Sequence, residues 1–523
     1  MFDLLIRNAL IYDGSGNPAF TGNVAVSNGK IVAVGADVSG EAAKIVDAKG
    51  LSLAPGFIDV HSHSDQVIHS DPHRLHVLRM GVTTEISGQC GSSVSPASDN
   101  MTEETRAFQS KKFSPLFATM AEQLDAMKDW ELGPNQRFFT GHGLLRAGAM
   151  QLEARLANAE ELKVMQDALA QAVQEGSAGL STGLSYVPGI YSNTEELTEL
   201  ARVAGQNGGM YTTHSRSESM GLFDSVNECI HIAREGNVPV NISHFKCVGK
   251  VFWERCEKAL GMIDEALEEG LDISLDAYPY VAASTTTLSA IPPQFLDHGA
   301  VAFAKSLEDP EIVEQIRKEI YEINDPSWDN SMYYVGLENF FIVRAAETPW
   351  AVGKTYAEAA EVLGMEPFDA VVHLLKANHG TVYECRFSMC EENVETILKH
   401  PKCMVGSDGI YVPGDKLAHP RAFGTFPRYL GYYIRERGIL SREEGIHRIT
   451  GMAADRYGLK GKGYIREGYD ADLVLFNYDT IRDHADFMDP FKPNEGIHQL
   501  YIAGELTLEE NEPTGVWKGK YIR

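Results

Sequence analysis

The chain has 523 residues, of which 44% are hydrophobic and 23% are charged, a balance that excludes collagen-like, low-complexity and wholly disordered proteins. It carries 46 lysines and arginines against 73 aspartates and glutamates, which gives a net charge of −27. Nucleic-acid binding is not expected at this balance, because it requires basic patches that neutralise phosphates. An anionic substrate would have to be bound by a few local cations.

The N-terminal sequence MFDLLIRNALIYDG carries Asp3 and Arg7 inside an apolar pattern, which predicts a first strand and not a signal peptide. No apolar run approaches the roughly 18 residues that a membrane span needs. We therefore expect a cytoplasmic protein with no membrane partner. The seven cysteines include no CxxC pair, which disfavours a disulfide framework or a zinc ribbon. Nothing in the sequence indicates an oligomeric state.

Both ends of the chain carry short strand patterns. Residues 1–56 alternate apolar and polar positions between Gly, Asn and Asp turns, and residues 461–480 and 497–506 have the same character. A period of two is typical of a half-buried sheet. These patterns predict a small β-sandwich domain formed by both chain termini, from residues 1–56 and 460–523.

Between the two ends, short apolar runs alternate with amphipathic helical patterns. The eight runs are FIDVH (57–61), VTTEI (82–86), RFFTG (137–141), AGLSTGL (178–184), MYTTH (210–214), VPVNISH (238–244), LDISLDAY (271–278) and CMVGSD (403–408). The clearest helical patterns cover 158–176, 194–208, 258–270 and 441–459. Eight strands alternating with helices predict a (β/α)8 TIM barrel over residues 57–459.

The connection between the seventh and eighth predicted strands is unusually long. Residues 281–402 number 122, where a βα unit needs roughly 30. An excess of this size on the C-terminal face of a barrel usually covers or shapes the active site. We therefore expect a lid-like insertion in this segment.

Metal-binding side chains stand at or just after the ends of the predicted strands. They are His61 and His63 (strand one), Cys90 (after strand two), His214 (strand five), His244 (strand six) and Asp408 (strand eight). Barrel enzymes place their chemistry at these strand ends. Two histidines in an HxH motif can be ordinary polar surface residues. Four histidines, a cysteine and an aspartate on one rim, however, are improbable as unrelated core residues.

A thiolate together with imidazoles selects zinc over magnesium or calcium. Cys90, His214 and His244 therefore predict a tight three-ligand Zn²⁺ site with its fourth position left for water or substrate. Zinc supplies a Lewis acid that polarises a carbonyl oxygen and lowers the pKa of water to about 7.

His61 and His63 share one face of an extended strand and, with Asp408 nearby, could form a second, weaker metal site. Asp408 is also the natural general base, and later the acid that protonates a leaving nitrogen. Its alternative role is to support a histidine ligand.

The HxH of the first strand and the single Asp of the last strand resemble the amidohydrolase superfamily. Many members supply a carboxylated lysine from strand four, but residues 178–184 contain none, which disfavours hydantoinase, dihydroorotase and urease types. A Cys after strand two instead resembles the D-aminoacylase (N-acyl-D-amino-acid deacylase) family. Further similar stretches are GQCG (88–91), STGLSYVPG (181–189), HFKCVG (244–249), DAYPYVAAST (276–285), VGSDG (405–409) and HPRAFGTFPR (419–428).

This resemblance implies a zinc-dependent hydrolase that cleaves the amide bond of a small-molecule N-acyl-D-amino acid, and the preference for the D enantiomer rests on it alone. It implies catalytic zinc at Cys90, His214 and His244, a secondary site at His61 and His63, and Asp408 as catalytic acid/base. It also implies that Lys246, Tyr278, Ser284 and Arg421 bind the substrate α-carboxylate. Tyr280 and neighbouring Ser or Thr residues are close alternatives to Tyr278 and Ser284.

Two other functions remain open. Another amidohydrolase could open a cyclic amide or cleave a dipeptide-like bond, although the missing strand-four lysine argues against the first and a covered pocket against bulky peptides. A non-catalytic barrel homologue would be expected to lose its metal ligands, and this chain keeps every candidate. We further expect Arg216 and Glu218 to form a supporting ion pair behind His214.

Overall fold

The structure, a computed structural model, describes residues 1–109, 115–323 and 325–523. Each of the eight predicted apolar runs contains or overlaps a strand. These barrel strands are Phe57–Asp59, Val82–Ser87, Asn135–Phe138 continued by Thr140–Gly141, Gly179–Gly183, Met210–His214, Val240–Ile242, Ile273–Ala277 and Cys403–Val405. Neighbouring strands pair in parallel in chain order. The predicted (β/α)8 fold is confirmed.

The ring closes between the eighth strand and the first. An isolated parallel bridge joins Ser62 to Gly409, and the Asp408 amide donates a hydrogen bond to the His61 carbonyl at 2.7 Å. Because the strands run parallel, their carboxyl ends meet at one rim. Closure therefore places the HxH motif beside Asp408.

Amphipathic helices cover the outside of the strands. Asn158 shows how one begins, since its side chain and that of Glu161 form a capping box at the start of Ala159–Glu175. The helices that follow successive barrel strands are Leu75–Leu78, Met120–Met127, Ala159–Glu175, Thr194–Gln206, Leu222–Gly236, Cys256–Glu268, Glu391–Lys399, and the pair Arg442–Arg448 and Gly451–Arg456. Additional helices are Glu103–Gln109, His142–Met150, and Arg421–Arg428, which continues as a π-helix over Tyr429–Glu436.

Among the described residues, no helix combines the length and apolar character needed to cross a membrane.

The two ends of the chain build one nine-stranded sheet. Its strands are Phe2–Ile11, Phe20–Ser27, Lys30–Gly35, Ala42–Asp47, Ser52–Pro55, Leu473–Phe476, Ile497–Ile502, Glu505–Glu509 and Glu512–Pro513. Antiparallel pairing of Ser52–Pro55 with Leu473–Phe476 joins the two halves. Apolar residues from both halves, including Leu4, Val24 and Leu473, share a core. The domain limits 1–56, 57–459 and 460–523 stay predictions.

The segment between the seventh and eighth barrel strands has its own sheet and core. Its antiparallel strands are Ala282–Thr286, Phe340–Arg344 and Tyr383–Phe387, and its helices are Gly299–Ser306, Pro310–Tyr321, Ser331–Val335, Tyr356–Leu363 and Pro367–Ala377. An apolar cluster that includes Phe303, Phe340 and Leu374 fills the space between them. The helix Glu391–Lys399, by contrast, contributes to the core of the barrel. We call residues 281–390 the inserted segment.

Candidate metal centre and active site

Three of the predicted metal-binding residues have left-handed backbone conformations. The φ angles of Cys90, His244 and Asp408 are 54°, 35° and 49°, values that cost energy for residues other than glycine and cluster at functional sites. Gly91 makes the turn after Cys90 possible, since a Cβ on it would lie 2.7 Å from the Gly183 nitrogen. The backbone is therefore bent at the ends of the strands, where it aims these side chains into the barrel mouth.

Four of the predicted residues meet in one group. The donor atoms of His61, Cys90, His244 and Asp408 all lie within 4.8 Å of one another. Cys90 Sγ is 3.4 Å from both His61 Nε2 and His244 Nε2, and His61 Nε2 is 3.6 Å from Asp408 Oδ1. Tetrahedral ligands at ordinary Zn–N and Zn–S distances lie about 3.4 to 3.8 Å apart. The chemistry and the spacing of this donor set fit a zinc ion.

The other two predicted metal-binding residues flank this group. His214 Nδ1 lies 2.9 Å from His244 Nε2, and Ser185 Oγ lies 2.8 Å from the second ring nitrogen of His214. His63 Nε2 lies 3.0 Å from Asp408 Oδ1. The structure thus brings all six predicted residues together, while their division into a tight and a weak site stays a prediction.

Electrostatics place the thiol and the carboxyl in their ionised forms. Burial raises the pKa of Cys90, but the neighbouring charges of His61 and His244 outweigh burial and hold that pKa well below its ordinary value. Burial also opposes ionisation of Asp408, yet Arg421 and His244 keep the pKa of this carboxyl well below its usual range. A thiolate is the form that binds metal, and a carboxylate is the form that accepts a proton.

Three of the four residues predicted to bind the substrate carboxylate line a cavity. Lys246, Tyr278 and Ser284 line a cavity of about 760 Å³ together with residues of the metal-binding group. The guanidinium of Arg421, which is fully buried, lies 4.6 Å from the Tyr278 ring centroid, and its Nη2 lies 2.9 Å from Asp408 Oδ2. Ser284 Oγ already donates to the Glu384 carbonyl at 2.9 Å.

Tyr278 and Arg421 hold polar atoms that the described residues leave unsatisfied. Tyr278 Oη and both Nε and Nη1 of Arg421 are buried without a hydrogen-bond partner in the described part of the chain. Unpaired buried donors are costly until a ligand satisfies them, and hydrogen bonds from a guanidinium to an anion are among the strongest. Tyr280, the alternative to Tyr278, instead has its hydroxyl 3.5 Å from Asp483 Oδ2.

The prediction of an ion pair between Arg216 and Glu218 is wrong. Arg216 pairs with Glu228 at 3.0 Å. Glu218 Oε1 lies 2.5 Å from Lys246 Nζ and 3.2 Å from His244 Nδ1. The loop after the fifth strand turns the two side chains toward different partners. The signal that points to Glu218 is the burial of Lys246, because a buried ammonium needs a carboxylate partner.

Tyr186 is a cavity residue to which the sequence motifs assigned no role. It follows the fourth strand in STGLSYVPG, and its ring centroid lies 4.8 Å from that of His214. Its hydroxyl lies 3.1 Å from Thr285 Oγ1 in the inserted segment. Tyr186 therefore joins the barrel rim to the inserted segment on one side of the cavity.

Taken together, the closed ring of strands and the His, Cys and Asp donors at its rim define a (β/α)8 barrel built to hold a metal ion.

Comparison with known proteins is consistent with this class. A model of the Amidohydrolase family matches residues 44–507. A D-aminoacylase of Alcaligenes xylosoxydans xylosoxydans is 34% identical over 522 residues, which cover 100% of this chain and 97% of the relative. An N-acyl-D-aspartate deacylase of the same organism is 32% identical over 98% of this chain and 93% of its own length. The chain belongs to the amidohydrolase family.

A comparison with solved structures also finds similarity to a deacylase. An N-acyl-D-glutamate deacylase from Bordetella bronchiseptica, complexed with zinc and a phosphonate inhibitor that mimics the tetrahedral intermediate, superposes with a TM-score of 0.85. It is 30% identical, and the match covers 100% of this chain and 99% of that structure.

Proposed function

We propose that this protein is a zinc-dependent hydrolase that cleaves the amide bond of N-acyl-D-amino acids. Water is consumed, the bond between the acyl carbon and the nitrogen breaks, and a carboxylate and a free D-amino acid are formed. The observation that carries the proposal is the buried group of His61, Cys90, His244 and Asp408 beside a cavity with unpaired anion-binding donors. The activities named for the relatives support the choice of substrate.

Zinc is the metal that this donor set favours. Cys90, His214 and His244 are proposed to hold it, and His61 and His63 to contribute to a second, weaker site. Zinc supplies a Lewis acid that polarises the amide carbonyl and lowers the pKa of water. The 3.4 Å separation of Cys90 Sγ from His244 Nε2 supports this assignment, as does the ionised state of the Cys90 thiol.

Asp408 is proposed as the catalytic acid and base. As an ionised carboxylate it accepts the proton of the attacking water and then delivers it to the departing nitrogen, which leaves as an amine. His63 and Arg421 contact its two oxygens, at 3.0 Å and 2.9 Å. These contacts fix the orientation of the carboxylate, so that proton transfer requires little rearrangement.

Lys246, Tyr278, Ser284 and Arg421 are proposed to bind the α-carboxylate of the substrate. The unpaired donors of Tyr278 and Arg421 provide the direct hydrogen bonds, and Lys246 adds positive charge at the cavity wall. A carboxylate held at this point restricts which substituent of the α-carbon can face the metal-binding group. Anchoring of this kind is the physical basis for discrimination between D and L substrates.

The test compares amine release from N-acetyl-D-methionine and N-acetyl-L-methionine by the zinc-loaded protein. The proposal predicts release from the D substrate, with the L substrate at least about 100-fold slower, because a misplaced amide costs this much in rate. Release from neither substrate, with zinc bound, would overturn the proposal in favour of a cyclic amide or another bond. Equal release from both would overturn the assignment of the carboxylate-binding residues.

A further inference from the structure

A single aspartate of the inserted segment contacts the loop that follows the fifth barrel strand. Asp329 Oδ1 accepts hydrogen bonds from the hydroxyls of Ser217, at 2.6 Å, and Ser219. Its Oδ2 accepts the Glu218 backbone amide at 2.8 Å. Three consecutive residues, 217–219, which we call the rim loop, therefore donate hydrogen bonds to one carboxylate of the inserted segment.

The core of the inserted segment fixes the position of Asp329. Trp328, which precedes it, is buried in that core. Asn330, which follows it, caps the helix Ser331–Val335 and donates from Nδ2 to the Ile320 carbonyl at 2.7 Å. Because both neighbours are anchored, the carboxylate cannot follow the rim loop if that loop moves.

The residue in the centre of the contacted loop reaches the active site. Glu218 Oε1 lies 2.5 Å from Lys246 Nζ, and Lys246 Nζ lies 2.8 Å from His244 Nδ1. The Glu218 carbonyl also accepts the Val248 amide at 2.8 Å. The backbone and the side chain of Glu218 thus hold the segment that carries both Lys246 and His244.

We propose that Asp329 is a positioning residue for this active site. It docks the inserted segment on the loop of residues 217–219, fixes Glu218 there, and so orients the Lys246 ammonium toward the substrate carboxylate. The role of Lys246 in this chain of contacts rests on the proposed function, whereas the docking of the loop does not. The inserted segment therefore contributes to substrate binding through a residue that does not itself hold the substrate.

The test uses the zinc-loaded full-length protein with Asp329→Asn. The variant keeps the size of the side chain but places either an NH₂ group or a weaker, uncharged acceptor against the donors of the loop. Loss of hydrogen bonds to a charged group predicts a KM for N-acetyl-D-methionine about tenfold higher, with kcat within about twofold and zinc content unchanged. The Kd of the product D-methionine, measured by calorimetry, should rise by the same factor.

A double-mutant cycle separates positioning from a general structural effect. In a Lys246→Ala background, Asp329→Asn should cause no further change in the Kd of D-methionine, because the two residues act on the same contact. Asp369→Asn is the matched control, since it removes a carboxylate paired with Arg317 elsewhere in the inserted segment. That control should leave both KM and Kd unchanged.

Hydrogen exchange of the backbone amides of residues 217–219 tests the docking without any substrate. Asp329→Asn should accelerate exchange in this loop, and Asp369→Asn should not. Unchanged exchange, additive effects in the double mutant, or an equal rise in KM for the control would each overturn the proposal. If the wild-type protein cleaves no N-acyl-D-amino acid, the proposed function fails, and the exchange measurement still decides the docking role of Asp329.

Discussion

The barrel rim and the inserted segment border the same cavity but present different chemistry to it. On the rim, Tyr278 and Arg421 keep buried donors without a partner in the described chain. In the inserted segment, Arg386 and Arg344 line the cavity and face carboxylates: Arg386 Nε lies 2.5 Å from Glu384, and Arg344 Nη1 lies 3.6 Å from Asp415. Lys246 and Arg421 on the rim also have acidic neighbours, Glu218 and Asp408. Arg421 nevertheless keeps two nitrogens without a partner in the described chain, whereas Arg344 keeps one and Arg386 none. The rim therefore offers more unpaired donors to an anion.

This difference suggests separate functions for the rim and the inserted segment. The candidate metal-binding residues of the rim are fixed by parallel strands and by left-handed backbone conformations at Cys90, His244 and Asp408, and we propose that the reaction depends on them. The inserted segment has a separate apolar core and contributes walls to the cavity, and we propose that it selects the substrate. Changes on the rim should affect turnover and metal binding, and changes in the insertion should affect substrate preference.

We expect the largest effect on turnover from Asp408→Asn, a substitution on the rim. Removal of the proposed acid and base predicts a kcat about 10³-fold lower, at unchanged zinc content, because general acid–base catalysis contributes a factor of about 10² to 10⁴. Amine release and metal analysis on the same sample check this. Asp479→Asn, on an exposed aspartate paired with Arg442, is the control. Near-normal turnover of Asp408→Asn would remove Asp408 from the catalytic step.

Cys90→Ser tests the metal site of the rim. A serine hydroxyl does not ionise as a thiol does, so zinc affinity should fall by at least about 100-fold, measured by competition with a chelator. Cys390→Ser is the matched control, because Cys390 is the N-cap residue of the helix Glu391–Lys399 and is not part of the group of candidate metal donors. Equal zinc affinity of the two variants would contradict the assignment of Cys90 as a ligand.

Arg421→Met tests the anion-binding side of the rim while it preserves most of the buried volume. Loss of a charge-assisted hydrogen bond predicts a KM about 10- to 100-fold higher, with zinc content unchanged. Tyr278→Phe should raise KM by a smaller factor of about 10. Steady-state kinetics on N-acetyl-D-methionine measure both, and an unchanged KM for Arg421→Met would exclude Arg421 from the carboxylate site.

We expect the smallest effect on kcat/KM from a change of the substrate side chain, which tests the role proposed for the insertion. Because Arg344 and Arg386 already face carboxylates, kcat/KM for N-acetyl-D-glutamate should be about tenfold lower than for N-acetyl-D-methionine. Asp415→Asn removes a carboxylate that competes with the substrate side chain for Arg344. This substitution should reduce the difference in kcat/KM between the two substrates without altering zinc content. A preference of the wild-type protein for the acidic substrate would contradict the assigned role of the insertion.

The sequence predicts the rim better than the insertion, for physical reasons. Buried parallel strands are short continuous apolar runs, and their ends coincide with the candidate metal-binding residues. Chain order alone therefore locates His61 and Asp408 on neighbouring strands. The contacts of Glu218 with Lys246, and of Asp329 with the rim loop, join residues 28 and 111 positions apart. No local pattern encodes such pairs, because the first depends on how the segments after two barrel strands fold and the second on how the inserted segment docks.

We propose that a zinc ion at the rim is required for the cleavage of N-acyl-D-amino acids. The most direct test titrates zinc into metal-free wild-type protein while D-methionine release from N-acetyl-D-methionine is followed. We expect negligible release without metal and a rise with added zinc that reaches its maximum near one equivalent per chain. Full activity of the metal-free protein, or no activity at any zinc concentration, would contradict it.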